Sequence, residues 1–323
     1  MSSPSQRCPQ LFALTVVAAV ALCAASPDAL AATPNLDASS SAWRWWVWPL
    51  ALFVTCFFLG IVAVPAGVGG GVLFVPIVSG FFPFHLDFVR GAGLLVALAS
   101  ALSAGPSLLA GGLANLRLAL PLALVASASS ILGATVGFAL PTHIVQTALG
   151  ATILAIVVLM AMAKRSEFPA VDEPDSISRA LGMHGILLDP RSGQRIPWHV
   201  HRTPIGLAIF FAIGVLAGLF GLGAGWANMP ALNLLMGAPL KVSSGTSSFI
   251  LSLVDSSAAW VYLNKGAVLP MIAVPSVIGM MLGAKIGARL LAVLPAAVIR
   301  RLVLGLLAFA GVRALLKGMG IWN

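Results

Sequence analysis

Two series of five apolar runs constrain this chain more than any other feature of its sequence. They cover residues 46–66, 68–82, 88–110, 116–140 and 144–163, then 204–220, 226–236, 244–263, 268–291 and 298–316. About 20 apolar residues suffice to cross a bilayer as a helix. Charged residues form only 8% of the chain, whereas a water-soluble domain carries about 25%. The sequence therefore predicts an all-α polytopic membrane protein with 8–10 membrane segments.

The formal net charge of +9 does not indicate a nucleic-acid-binding protein. The basic residues separate the apolar runs instead of clustering on one polar face, as the positive-inside rule predicts for a membrane protein. A positive potential near a membrane pathway also favours an anionic cargo. We expect the lipid bilayer and a small anionic substrate as partners, and no nucleic acid. Assembly into a homo-oligomer stays open.

The first 31 residues are typical of a secretory leader. Arg7 precedes an apolar run at 11–25, and the small residues at 29–31 resemble a cleavage site. This run is shorter than the roughly 20 residues of a membrane span. We interpret residues 1–31 as a signal peptide, with an uncleaved signal anchor as the alternative. Both place Trp43 outside the cytoplasm.

The two series of runs are interpreted as copies of one unit. At an offset of 154 residues the matching pairs are Gly67 and Gly221, Gly69 and Gly223, Gly71 and Gly225, and Pro76 and Pro230. At an offset of 150, Gly133 and Gly137 match Gly283 and Gly287. Such an ordered series indicates an internal repeat. We predict a first transmembrane repeat at 43–163, a polar linker at 164–202 and a second transmembrane repeat at 203–318.

The number of crossings in each half determines the orientation of the second repeat. If the short run of each half crosses the bilayer, each half crosses five times. With Arg7 and Lys285 set aside, 11 basic residues then lie inside against 5 outside. If the short run is re-entrant, each half crosses four times and the tally reverses. The positive-inside rule favours five crossings, which place the linker in the cytoplasm and invert the second repeat. An uncleaved N-terminus that stays in the cytoplasm would instead be consistent with four crossings in each half.

A glycine-rich break precedes the short run of each half. The candidate substrate-binding residues are Gly67, Gly69, Gly70 and Gly71 in the first break, and Gly221, Gly223, Gly225 and the nearby Asn228 in the second. A proline follows five residues after each break, so we expect helices interrupted in mid-membrane. The amides at the start of a half-helix attract anions, and interrupted backbone persists in lipid only where protein or water lines it. Close helix packing is the alternative.

Hydroxyl groups open the third run of the second half. The candidates are Ser244, Gly245, Thr246 and Ser247. Their donors exceed what one helix cap needs, although capping by Ser243 or Ser244 is the simpler explanation. The first half has Arg90 and Gly91 at this place, and snorkelling toward the interface is the default expectation for Arg90.

Two charged residues fall inside apolar runs of the second half. Asp255 lies within 244–263, and Lys285 lies within 268–291. Charges in membrane spans are usually functional or paired with each other. The two residues therefore form either a structural ion pair, which we favour, or Asp255 titrates as a proton relay.

The second half resembles the TauE/SafE sulfite-exporter-like family, also called the toluene sulfonate uptake permease family. The resemblance rests on the glycine segment 221–225, Pro230, the stretch 244–247 and the stretch 283–290. The first half repeats this order, so the resemblance extends over about residues 51–316. The sequence departs from the family pattern at Ala224, which replaces a glycine, at the Arg90–Gly93 segment and in the long insert 164–202.

The resemblance implies a secondary transporter in the bacterial inner membrane that exports sulfite or moves a related sulfur-containing anion without ATP. Uptake of organosulfonates or another organic anion is one alternative, and a non-transporting membrane subunit or sensor is another. No membrane run holds a catalytic or metal-ligand spacing. We therefore expect neither enzyme activity nor a cofactor.

Overall fold

The computed structural model describes residues 46–66, 69–110, 114–162, 174–188, 195–290 and 296–320, and these form α-helices with one small β-hairpin. The first half holds α1 (Val47–Ala66), α2 (Gly70–Phe81), α3 (Leu86–Ala110), α4 (Leu116–Ala139) and α5 (Thr142–Met162). The linker holds α6 (Ser176–Ala180), β1 (His184–Leu188) and β2 (Arg195–His199). The second half holds α7 (Thr203–Phe220), α8 (Gly225–Pro230), a π-turn (Ala231–Leu235), α9 (Leu240–Asn264), α10 (Pro270–Leu290) and α11 (Ala296–Gly318). The predicted all-α class is confirmed; the leader 1–31 lies outside the described residues.

Five helices of the described part are long and apolar enough to cross a bilayer. They are Leu86–Ser103 of α3, α4, α5, α7 and Pro270–Gly287 of α10. The apolar part of α1, Val47–Ala63, and α2 are shorter. α9 has 25 residues, eight of which are Ser or Thr, and these lower its hydropathy. The chain is a multi-pass membrane protein, and the number of crossings stays a prediction.

Matching close contacts join each half to the other. A Cβ added to Gly60 of α1 would lie 2.6 Å from the carbonyl oxygen of Met280 in α10. Gly214 of α7 has the same contact with the carbonyl oxygen of Ala126 in α4. Gly60 and Gly214 are 154 residues apart in the sequence, and so are Ala126 and Met280. Glycine allows the backbones of membrane helices to approach this closely, so each half provides a binding face for the other.

The same contacts correct the alignment of α4 with α10. Gly133 lies against the backbone of Val215, and Gly287 lies against the backbone of Ile61, which are equivalent contacts at an offset of 154. The match of Gly133 with Gly283 at an offset of 150 is therefore wrong by about one helical turn. Glycines recur at one-turn spacing in these helices, and sequence comparison alone cannot distinguish the two registers.

Corresponding helices of the two halves run antiparallel where they touch. In α5, Thr147 lies against Gly318 of α11, and Gly150 lies against Leu315. Residue numbers therefore rise along α5 as they fall along α11. Five crossings in each half would produce this arrangement, whereas four would make the two helices parallel. The inverted repeat stays a prediction, which this packing supports.

The described part of the linker is folded against the membrane helices. β1 pairs with β2 in antiparallel register, and His184 lies opposite His199. The buried Trp198 belongs to the same apolar cluster as Met236, next to the π-turn. The backbone N–H of His201 donates to the carbonyl oxygen of Met236 at 3.1 Å. The hairpin therefore lies against the connection between the π-turn and α9.

Candidate substrate-binding site

The glycine breaks of the two halves lie in direct contact. Gly69 precedes α2, and Gly225 begins α8. A Cβ added to Gly225 would lie 3.2 Å from the backbone nitrogen of Gly69. Gly221 and Gly223 have φ angles of +68° and +73°, in the left-handed region that favours glycine. The sequence hypothesis that the two breaks face each other agrees with this geometry.

Backbone and methyl groups pack closely around the breaks. A Cβ on Gly71 would lie 2.6 Å from the carbonyl oxygen of Leu222, 2.9 Å from that of Gly93 and 3.0 Å from the methyl group of Ala97. The glycines thus have the close-packing role that was the alternative explanation. An anion can bind between the breaks only in a conformation in which the halves lie further apart.

Two glycines of the first break do not take part in this contact. Gly67 lies outside the described residues. Gly70 faces α10, since a Cβ added to it would lie 3.0 Å from the sulfur of Met280. Gly69 and Gly71 are therefore the described residues through which the first break touches the second.

Asp255 lies beside the second break. The residue is fully buried, at 0% exposure. A Cβ added to Gly223 would lie 3.1 Å from its Oδ2 atom. The backbone N–H of Ala224 interacts with the carboxylate, but neither carboxylate oxygen has a partner at hydrogen-bond geometry.

The predicted ion pair between Asp255 and Lys285 is wrong. Lys285 is exposed, because α10 turns its small residues toward α1. Neither carboxylate oxygen of Asp255 has a partner. The role of Asp255 as a proton relay stays a prediction.

Asn228 and Trp226 add buried polar groups to the second break. Asn228 is 0% exposed, and neither its Oδ1 nor its Nδ2 atom has a partner. The indole N–H of Trp226 is also buried without a partner. Sequence reasoning missed Trp226, although its position directly after Gly225 was a usable signal. Buried polar groups are nearly always hydrogen-bonded, so these two indicate where a polar ligand fits.

Arg90 lies near the end of α7 and is 1% exposed, so the expectation that it snorkels is wrong. Its Nη1 atom donates to Asp87 Oδ1 at 2.8 Å and to the carbonyl oxygen of Gly137 at 3.4 Å. Its guanidinium carbon lies 5.3 Å from the ring centre of Tyr262 and 5.6 Å from that of Phe138. These contacts replace water around the cation. The Nε and Nη2 atoms have no partner.

Tyr262 stabilises the interrupted end of α7. Its hydroxyl donates to the carbonyl oxygen of Gly218 at 3.0 Å, one of the carbonyls that lose their helical donor where α7 stops. The backbone of Arg90 lies against Gly221 at the same place, and Gly91 packs against Ala267. Sequence reasoning missed Tyr262, the chain's single tyrosine.

The hydroxyl cluster lies away from the breaks. α9 begins at Leu240, so the 244–247 residues lie inside the helix, and the capping explanation is wrong. Thr246 Oγ1 accepts a hydrogen bond of 3.1 Å from the backbone N–H of Asn115, at the start of α4. Gly245 and Ser247 are buried, and Ser244 is half-buried. Thr246 and Asp255 are separated by nine residues, or roughly 13 Å along α9, so the hydroxyls lie on a different part of any path through the protein.

A polytopic helical protein in which two similar halves meet at interrupted helices has the architecture of a secondary transporter. The family model described as "Sulfite exporter TauE/SafE" matches residues 52–314. The chain belongs to the TauE/SafE family.

Two similar proteins carry the names of probable membrane transporters. The protein named "Probable membrane transporter protein YunE" of Bacillus subtilis (strain 168) is 38% identical over 88 residues, which are 27% of this chain and 32% of the relative. The protein named "Probable membrane transporter protein ORF9" of Sinorhizobium sp is 27% identical over 242 residues, which are 74% of this chain and 81% of the relative. The chain thus matches about a third of YunE and most of ORF9. No solved structure matches it.

Proposed function

We propose that this chain is a secondary transporter that exports small sulfur-containing anions such as sulfite across the cytoplasmic membrane. Its membership of the TauE/SafE family supports the class of protein and the kind of cargo. The observation that carries the site is the contact between Gly69 and Gly225, which brings together the starts of two half-helices. Backbone N–H groups at such starts are free to bind an anion.

The donors around the breaks suit an oxyanion. Asn228 and Trp226 add side-chain N–H groups to the backbone amides of the second break. Only the backbone of Arg90 lies against Gly221, since its guanidinium is paired with Asp87 and packed against Tyr262. N–H donors bind a small oxyanion through hydrogen bonds to its charged oxygens. This set has no element specific for sulfur, so the choice of sulfite rests on the family.

The arrangement of the halves suits alternating access. The breaks are in contact in this structure, and each half contributes one of them. Rocking of one half against the other would separate Gly69 from Gly225 and admit an anion from one side of the membrane, as inverted-repeat transporters do. Thr246 and its partner Asn115 then lie on the path between the breaks and the linker side.

Counterflow of labelled sulfite into liposomes that contain the purified protein tests the proposal. Gly223→Ala adds a Cβ at a φ of +73° and next to Asp255, so we expect at least a tenfold loss of flux, which corresponds to about 1.4 kcal/mol. Thr246→Val removes the acceptor for Asn115 and should also reduce flux. Thr135→Val is the matched control, because Thr135 is exposed and its hydroxyl bonds only within its own helix. Each variant must elute as a single folded species.

If the site variants transport sulfite at the wild-type rate, the proposed binding site is wrong. Competition by a panel of sulfite, thiosulfate, taurine and aromatic sulfonates separates export of inorganic sulfur anions from uptake of organosulfonates. Transport by the purified chain alone would exclude a non-transporting subunit or sensor as its main role.

A further inference from the structure

Three side chains at the second break have buried polar atoms without partners. They are the carboxylate of Asp255, the carboxamide of Asn228 and the indole N–H of Trp226. They come from α8 and α9, which pack against each other. Single unpartnered groups occur in folded proteins, but a set of three on adjoining helices indicates a place that a ligand or a proton occupies during function.

The first half lacks this polar set. At the repeat offset of 154 residues the counterparts of Trp226, Asn228 and Asp255 are Val72, Phe74 and Ala101. All three counterparts are buried and apolar. The polar side chains of the second break are therefore not repeated in the first half. A ligand that binds through these polar side chains would therefore contact the second half.

A negative charge on Asp255 would have no nearby cation among the described residues. α9 packs against α3, α4, α7, α8 and the π-turn. The charged side chains of these elements are Asp87 and Arg90 on α3 and Arg117 on α4, while α9 itself adds Lys241 and the neutral but titratable Tyr262. Arg90 contacts Tyr262, which is seven residues and roughly 10 Å along α9 from Asp255. Arg117 and Lys241 lie in the first turns of their helices, further still from Asp255.

The surroundings of the carboxylate also suit a neutral acid better than a bound metal ion. Its Oδ2 atom shares the space beside Gly223 with the methyl groups of Ala97 and Leu251. The polar neighbour is the N–H of Ala224, a donor that cannot ligate a cation. An unpaired charge buried among such groups is strongly disfavoured, whereas the carboxylic acid is neutral.

We propose that Asp255 is the proton-carrying group of the transport cycle, and that the anion binds beside Asn228 and Trp226 only while Asp255 is protonated. This inference rests on the proposed transport function. A proton from water on the loading side binds one carboxylate oxygen and gives a carboxylic acid, and the same proton returns to water on the opposite side. The anion then meets N–H donors without repulsion from a second negative charge. One proton therefore accompanies each anion. During export the proton leaves the cell together with the anion, so the concentration gradient of the anion drives export, and an inward pH gradient opposes it.

Transport by the full-length protein in liposomes tests the coupling. The membrane potential is held at zero with valinomycin and equal potassium on both sides. The lumen of the liposomes is set one pH unit more alkaline than the outside. A tenfold difference in proton concentration should drive accumulation of labelled sulfite up to about tenfold with one-to-one coupling. Asp255→Asn keeps the shape of the protonated acid, so we expect it to exchange sulfite in counterflow but to lose accumulation. Ser256→Ala is the matched control, since Ser256 is the next residue and is exposed.

Accumulation by Asp255→Asn equal to that of the wild type would overturn the proposal. Accumulation that follows a sodium gradient and ignores the pH gradient would also overturn it, because a metal ion would then be the coupling ion. If Asp255→Asn fails to fold, Asp255→Glu at matched pH provides the second variant, with accumulation expected to persist at a changed rate.

Infrared spectroscopy of the purified protein without substrate tests the protonated state independently of the cargo. The wild type should show the carbonyl band of a buried carboxylic acid, and the band should be absent from Asp255→Asn and unchanged in Ser256→Ala. A wild-type spectrum without such a band would overturn the proposal. If the band is present but sulfite is not transported, the proposed cargo is wrong, and the proton-carrying role of Asp255 is supported.

Discussion

Substitution of Gly71 by alanine tests the claim that the two breaks touch. The added Cβ would lie 2.6 Å from the carbonyl oxygen of Leu222 and 2.9 Å from that of Gly93, where ordinary contact begins at 3.4 Å. Both neighbours are backbone atoms of other segments, so relief requires movement of α3 or of the second break. Overpacking of this kind costs about 1–3 kcal/mol, and the better helix propensity of alanine offsets at most about 1 kcal/mol. Contacts this short with two backbone oxygens put the cost at the upper end of that range, so we expect a net loss of about 2 kcal/mol.

Thermal unfolding in detergent, followed by size-exclusion chromatography after heating, measures this loss. A destabilisation of 1 kcal/mol lowers the midpoint of a chain of this size by about 2–4 °C. Gly305→Ala is the control, because Gly305 is exposed on α11 and a Cβ added to it meets no atom within 4 Å. We expect this control to have the wild-type midpoint or a slightly higher one. Equal midpoints for Gly71→Ala and Gly305→Ala would refute the contact between the breaks.

Two further predictions concern other parts of the structure. Tyr262→Phe removes the donor to the carbonyl oxygen of Gly218 and should destabilise the protein by about 1–3 kcal/mol in the same thermal assay; an unchanged midpoint would show that α7 ends without this bond. Ile186→Cys places a thiol on β1, where the side chain is 67% exposed. In intact cells it should react with a membrane-impermeant maleimide only after permeabilisation, since the predicted topology puts the linker in the cytoplasm, and labelling from outside would contradict five crossings.

The sequence was sufficient for the class of fold and for the position of the breaks. Apolar runs and the repeat of Gly69 and Gly71 in Gly223 and Gly225 depend on local composition, which a single sequence displays directly. The helix α9 illustrates the limit: its start at Leu240 was missed because the hydroxyls that follow are typical of a helix cap, whereas Pro239 begins the helix. The hairpin in the linker was also missed, since its strands have only five residues each and are interrupted by Gly185 and Pro197.

The side-chain partners could not be predicted from the sequence. We predicted the pairing of Asp255 with Lys285 because an isolated charge in lipid is costly. The prediction failed because the packing of α10 against α1, which the sequence does not display, turns Lys285 outward. The burial of Arg90 depends on the rings of Phe138 and Tyr262, which belong to helices distant in sequence. Such contacts are set by the register between helices, and the offset of 150 for α4 shows how easily that register is misjudged by one turn.

The exchange of helices between the halves has a consequence for biogenesis. α1 ends at Ala66 and finds its main partner in α10, which begins at Pro270. At a synthesis rate of about 5–20 residues per second, α1 waits on the order of 10–40 seconds in the membrane before α10 is made. During this interval lipid must cover the glycine-lined surface around Gly60, and an insertion chaperone that shields it would raise the yield of folded protein. The two halves expressed as separate polypeptides should therefore accumulate only when both are present in the same cell.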